Sequence, residues 1–127
     1  MKLCITTFAI TLMLVATVHA ELPSSSAKIV YQTLVSGKPT IIDLGARTCI
    51  PCKKMAPILE GLSKEYKGKA NVLFIDLRED EDAGDRFKVR MIPTQIFFDA
   101  KGKEVKRHIG FMDKDDIVKE LKAAGLK

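Results

Sequence analysis

The sequence predicts an α/β domain in which a central mixed sheet of about four strands is flanked by helices, in the order αβαβαββα. Three observations predict it. Short β-branched and aromatic runs, TIIDL at 40–44 and NVLFID at 71–76, alternate with stretches of helical period. Two more such runs, TQIFFD at 94–99 and KEVKRHI at 103–109, are separated only by Ala100-Lys101-Gly102, the spacing of a hairpin. From residue 21 to residue 127 there is no repeat, low-complexity tract or linker, so one domain is expected there. Strands joined through helices run parallel and hairpin strands antiparallel, which makes the sheet mixed.

Each helix has a local signature. Ser24, Ser25 and Ser26 offer an N-cap, and Ile29, Val30, Thr33 and Leu34 are expected on one helical face before Gly37 and Pro39 stop it. Met55, Ile58, Leu59, Leu62 and Tyr66 form the apolar stripe of a second helix that ends near Gly68, with Pro57 expected to kink it. Glu79 to Val89 is expected to be a short helix, its acids leading and Arg86 and Lys88 following, as the macrodipole favours. Asp113 caps a last helix that turns Ile117, Val118, Leu121 and Ala124 inward and stops at Gly125.

The first twenty residues read as an export signal. Lys2 precedes a stretch from Leu3 to Ala20 in which thirteen of eighteen residues are apolar, ending in Val18-His19-Ala20. Four threonines and His19 interrupt a run already shorter than the roughly 20 apolar residues of a membrane span, which favours cleavage over an uncleaved anchor. Residues 21–127 then carry a net charge of +4, because Lys2 is the only charged residue lost from a chain of +5. That excess is modest and dispersed, so nucleic acid is not the expected partner. Cys4 leaves with the signal, and Cys49 and Cys52 remain.

Cys49-Ile50-Pro51-Cys52 opens the second helix, where it reads as a redox dithiol. Free N–H groups and the positive dipole end favour a thiolate at Cys49, making it the nucleophile. Pro51 suits the first helical turn, where a missing N–H costs nothing. Cys52 lies three residues before Met55, on the inward stripe, so it is the shielded sulfur that resolves a mixed disulfide made by Cys49. Other uses of the pair fit less well. As a staple, so small a loop stabilises less than the roughly 3 kcal/mol of a 15-residue one. A closed zinc or copper site needs ligands beyond two cysteines and His108, and covalent haem attachment needs a histidine where Lys53 stands.

These residues resemble the thioredoxin superfamily over about Ala27 to Leu126. In DLGARTCIPCKKMAP, Asp43 stands six residues before the first cysteine and Pro57 five after the second, and Met91-Ile92-Pro93-Thr94 is similar to the loop bearing the family's cis-proline. Gly110 resembles the glycine closing the substrate groove. The resemblance implies a thioredoxin-like fold and a thiol:disulfide oxidoreductase that needs no cofactor beyond its own Cys49–Cys52 disulfide. It implies that Cys49 attacks, that Cys52 resolves, and that Asp43 helps move the Cys52 proton. Ile50, Pro51, Ile92, Pro93 and Gly110 would line the peptide dock. There are departures from the family's pattern. Thr48 replaces the usual tryptophan and Ile50 the usual glycine, Val72 stands where a lysine often neighbours the buried acid, and the usual first edge strand is missing.

The expected activity is disulfide exchange with partner proteins, reduction being the favoured direction, by a monomer in a bacterial periplasm supplied with electrons by a membrane-bound thiol donor. A peptide-binding chaperone and a copper- or zinc-handling protein are the alternatives for the same two cysteines. The acidic run from Glu79 to Asp85 reads as a solvated helix start, Lys101, Lys103, Lys106 and Arg107 as guards of an exposed strand edge, and His108 as a surface residue.

Overall fold

The computed structural model describes residues 21–127; the export signal expected at residues 1–20, Cys4 included, lies outside the described residues. The element order is α1 (Ala27–Thr33), β1 (Thr40–Gly45), α2 (Ile50–Glu65), β2 (Asn71–Asp76), α3 (Glu81–Arg86), β3 (Thr94–Phe98), β4 (Glu104–Ile109) and α4 (Lys114–Ala123). The sheet runs β2-β1-β3-β4. β1 pairs with β2 in parallel and with β3 antiparallel, and β3 pairs with β4 antiparallel, which is the expected mixed sheet with a hairpin edge. No helix among the described residues is long and apolar enough to cross a membrane.

Alternation along the strands sorts the core into two layers. Ile41, Val72 and Phe97 face Met55, Leu59 and Leu62 of α2 and Ile117 and Leu121 of α4. Ile42, Leu44, Ile75, Ile96 and Phe98 face Ala27 and Val30 of α1 and Ala83 of α3. The same alternation fixes where Asp43 points. It lies between the α1-facing Ile42 and Leu44, so its side chain shares the α2 side of the sheet with Ile41 and with its register partner Gln95.

Two helices differ from expectation. In α1 the buried residues are Ala27 and Val30, with Leu34 at the C-cap, whereas Ile29 is 47% exposed and Thr33 is half-buried. Spacings of three and four residues align Ala27, Val30 and Leu34, and the Thr33 hydroxyl donates to the Ile29 carbonyl instead of turning inward. α3 covers only 81–86, because Glu79 and Asp80 are drawn into a turn on the Asp76 carbonyl and Lys88 takes φ +55°. Asp80 is employed elsewhere: its carboxylate accepts from Ala27 N at 2.8 Å, closing the start of α1. α2 continues through Pro57, which costs it the hydrogen bond to the Lys53 carbonyl. At the N-terminal side of the sheet a single bridge, Ser24 to Phe74, stands where a further edge strand would lie. β4 is an exposed edge carrying Lys106, but Arg107 does more than guard it, donating to the Phe87 carbonyl at 2.8 Å and so closing α3 at its C-terminus.

Candidate active site

The β1 strand delivers the chain to the C-terminal edge of the sheet, and residues 46–49 turn it into α2. Asp76 holds this turn in place. Buried at the end of β2, it accepts from Arg47 N at 3.2 Å and from Arg78 N at 2.9 Å, tying the two loops at the edge together. Cys49 is the N-cap of α2: its sulfur accepts from Cys52 N at 3.4 Å and its carbonyl accepts from Lys53 N at 2.9 Å. Pro51 sits in the first turn, where no N–H is needed. A disulfide joins Cys49 and Cys52, whose Cα atoms are 5.1 Å apart.

The two sulfurs are unequally placed. Cys49 is half-buried at the edge, beside the exposed Ile50, while Cys52 is 5% exposed and faces the sheet. Gly45 makes room for it. A Cβ there would lie 2.9 Å from Cys52 Sγ and 3.3 Å from Cys52 Cβ, so the last residue of β1 must be glycine for the sulfur to sit where it does.

Beneath Cys52 lies Asp43, fully buried, its Oδ1 accepting from Gln95 Nε2 at 2.7 Å. Among the described residues Asp43 Oδ2 and Gln95 Oε1 have no hydrogen-bond partner. Burial pushes the Asp43 carboxyl up from 3.8 to about 6, against the lowering effect of the Gln95 hydrogen bond. A small cavity of about 20 Å³ connects the two groups, lined by Asp43, Cys52, Ala46, Leu59 and Phe74 and roofed by Arg47, Lys53, Glu21 and Leu22. Its size suits one water molecule, for which about 10–15 Å³ suffices.

Pro93 follows a cis peptide bond at the start of β3, and the register of Thr94 on Leu44 sets it across from Gly45. It is buried, while Met91 and Ile92 before it are 64% and 37% exposed. Gly110, at φ +101°, donates its N–H to the Pro93 carbonyl at 2.8 Å. The residues singled out in the sequence therefore gather at one edge of the sheet: Cys49, Ile50 and Pro51 at the start of α2, Ile92 and Pro93 before β3, Gly110 after β4, with Cys52 and Asp43 behind them. His108 stays apart on β4, its Nε2 3.1 Å from the Phe111 carbonyl. Among the described residues no group of three or more His, Cys, Asp or Glu is placed to hold a metal ion.

Sequence reasoning missed four residues here: Gly45, Gln95, Asp76 and Arg47 in its structural part. Only Gly45 carried a signal, since a glycine ending a buried strand marks a close approach.

Comparison with known proteins identifies the family and the fold. The family model described as Thioredoxin matches residues 23–123. The thioredoxin of Staphylococcus aureus strain Mu50 is 34% identical over 91 residues, covering 72% of this chain and 86% of that protein. The thioredoxin of Staphylococcus saprophyticus is 38% identical over 81 residues, 64% of this chain and 77% of its own. Among solved structures, Fasciola hepatica thioredoxin superposes with a TM-score of 0.68 at 26% identity, covering 78% of this chain and 94% of that one. Chloroplastic thioredoxin z does so with a TM-score of 0.71 at 23% identity over 83% and 95%, a likeness of fold. With its paired cysteines at the head of α2, this chain belongs to the thioredoxin family and is a thiol:disulfide oxidoreductase.

Proposed function

We propose that the protein is an exported reductase of protein disulfides in which Cys49 attacks and Cys52 resolves. The observation that carries this reading is the unequal placement of the two sulfurs, one at the edge under the first-turn N–H groups and one buried over Asp43. In the reduced protein the helix terminus favours the Cys49 thiolate. That thiolate attacks one sulfur of a partner disulfide, forming a mixed disulfide and expelling the partner's other sulfur as a thiolate. Cys52 then loses its proton and attacks Cys49 Sγ, which closes the Cys49–Cys52 disulfide and releases the second partner thiolate. Two electrons pass to the partner, and an outside thiol must return them.

Asp43 is the acceptor for the Cys52 proton, reached through the water-sized cavity. A carboxyl poised near 6 is a stronger base than an ordinary carboxylate while remaining largely ionised at neutral pH. Ile50, Pro51, Ile92, Pro93 and Gly110 form the dock, with exposed apolar side chains at Ile50 and Ile92 to meet an extended partner segment. The apolar run ending at Ala20 supports export to a periplasm, where a membrane-bound thiol would supply electrons to a monomer.

Trapping tests the reading. Cys52→Ser incubated with oxidised insulin is expected to accumulate a covalent adduct through Cys49, and Cys49→Ala to form none and to lose insulin reduction. Retained insulin reduction by Cys49→Ala would overturn the mechanism, and peptide binding that survives in both variants without any adduct would favour a chaperone instead.

A further inference from the structure

The roof of the cavity behind Cys52 is drawn from two parts of the chain far apart in sequence. Arg47 reaches back over it to the start of the described chain, its guanidinium donating to Glu21 Oε2 at 2.7 Å and to the Leu22 carbonyl at 2.9 Å. The same guanidinium lies 5.0 Å from the centre of the Phe74 ring, and its backbone N–H is held by Asp76. Arg47, Glu21, Leu22 and Phe74 line the cavity together with Asp43 and Cys52. Glu21 and Leu22 belong to no helix or strand; the Leu22 side chain packs against the α2-side core, and the Arg47 fork holds the Leu22 carbonyl and the Glu21 carboxylate.

This matters for the resolving step. When a partner is joined to Cys49, the edge of the site is covered, and Cys52 is already shielded from solvent on that side. The proton that leaves Cys52 must therefore depart through the cavity, and Asp43 must hand it on to bulk water by the same route. Whatever closes the cavity roof controls both how dry Asp43 is and how fast it resets.

We propose that Arg47 is a positioning residue that clasps Glu21 and Leu22 over the cavity, forming a lid that sets water access to Asp43 and Cys52 and so the pH range of the resolving step. The inference rests on the reading of Asp43 as proton acceptor and adds to it the device that controls that acceptor. The charged and titratable groups facing Asp43 are few: Cys52 and Lys53 from α2, Arg47 from the turn, and Glu21 from the N-terminal segment, while β2 offers Phe74 and β3 the neutral Gln95. Cover and charge make opposite predictions for Arg47 and the same prediction for Glu21, so Arg47 is the residue that separates them. Removing the Arg47 cation would by charge alone raise the Asp43 midpoint, and removing the Glu21 anion would lower it, whereas opening the lid lowers it in both cases because burial is its leading cause.

The test uses the whole chain with Arg47→Gln and Glu21→Ala, each first checked for a native amide spectrum. Arg47→Lys, which keeps the cation and loses the fork to Glu21 and the Leu22 carbonyl, keeps the test available if Arg47→Gln fails to fold: the lid again predicts a lower midpoint, and an unchanged one would overturn it. Two quantities are followed against pH: the carboxyl carbon resonance of Asp43, and the rate at which a mixed disulfide between Cys49 and a small aromatic thiol resolves. Both variants are expected to move the Asp43 midpoint and the half-point of the rate profile to lower pH, by about one unit each. Unchanged midpoints in both variants would overturn the lid, and so would shifts of opposite sign, which would make Arg47 and Glu21 act by charge alone. A parent chain that forms no mixed disulfide would instead overturn the exchange mechanism, while the Asp43 resonance still reports on the lid.

Discussion

Replacing Asp43 by asparagine should stabilise the oxidised protein above pH 6 and do little near pH 4. The folded state binds the Asp43 proton more tightly than the unfolded chain does, because its carboxyl titrates at about 6 in place of 3.8. Between those values the folded state carries more of the proton, so its stability falls as pH rises through that window, and the full cost is present above it. A displacement of about two units is worth about 3 kcal/mol, at about 1.4 kcal/mol per unit. Asparagine never ionises, so its variant avoids this cost, and its amide N–H groups suit the unpaired Gln95 Oε1. Urea unfolding of the oxidised parent and the Asp43→Asn variant, measured from pH 4 to pH 8, gives the difference directly. It should grow from near zero to about 3 kcal/mol, or a rise in Tm on the order of 10 °C. A difference that stays constant across that range would refute the argument that burial of the charge is what raises the group.

Other consequences are equally open to measurement. Gly45→Ala brings a Cβ to 2.9 Å from Cys52 Sγ and should cost about 1–3 kcal/mol by overpacking, while slowing closure of the Cys49–Cys52 disulfide; thermal unfolding and stopped-flow oxidation report the two effects. Asp76→Ala leaves Arg47 N and Arg78 N without their acceptor and should cost roughly 1–3 kcal/mol in urea unfolding, with faster amide exchange at both positions. Asp113→Ala removes the cap that accepts from Asp116 N at 2.9 Å and should lower stability by about 1 kcal/mol without changing disulfide exchange.

The reach of the sequence followed the range of the interactions involved. β2 spans Asn71–Asp76 as expected and Asp113 caps α4, because β-branched content, turn residues and capping chemistry act within a few residues of one another. The dithiol was legible for the same reason: the helix start, the proline and both sulfurs lie within four consecutive residues. Ile29 was misplaced since a helix of seven residues offers too few turns to separate one apolar face from its neighbour. α3 was overextended because Asp80, 53 residues along the chain from Ala27, serves as the acceptor for the start of α1, a bond that no local pattern encodes.

The environment of the site was the least legible part. Asp43 meets Gln95 only through the register of β1 on β3, and a shift of one residue would have faced Asp43 with a different neighbour. Arg47 was visible only as the residue before Thr48, its clasp on Glu21 spanning 26 positions. Such contacts follow from packing the whole domain, and they decide how dry the carboxyl is and how Cys52 is held.

The most direct test of the account is the pH dependence of alkylation of the two cysteines in the fully reduced chain, resolved residue by residue by mass spectrometry. Cys49 should react at pH values well below the 8.5 or so of a free cysteine thiol, with Cys52 protected throughout. Equal reactivity at the two sulfurs, or a Cys49 that reacts only as an ordinary thiol does, would contradict it.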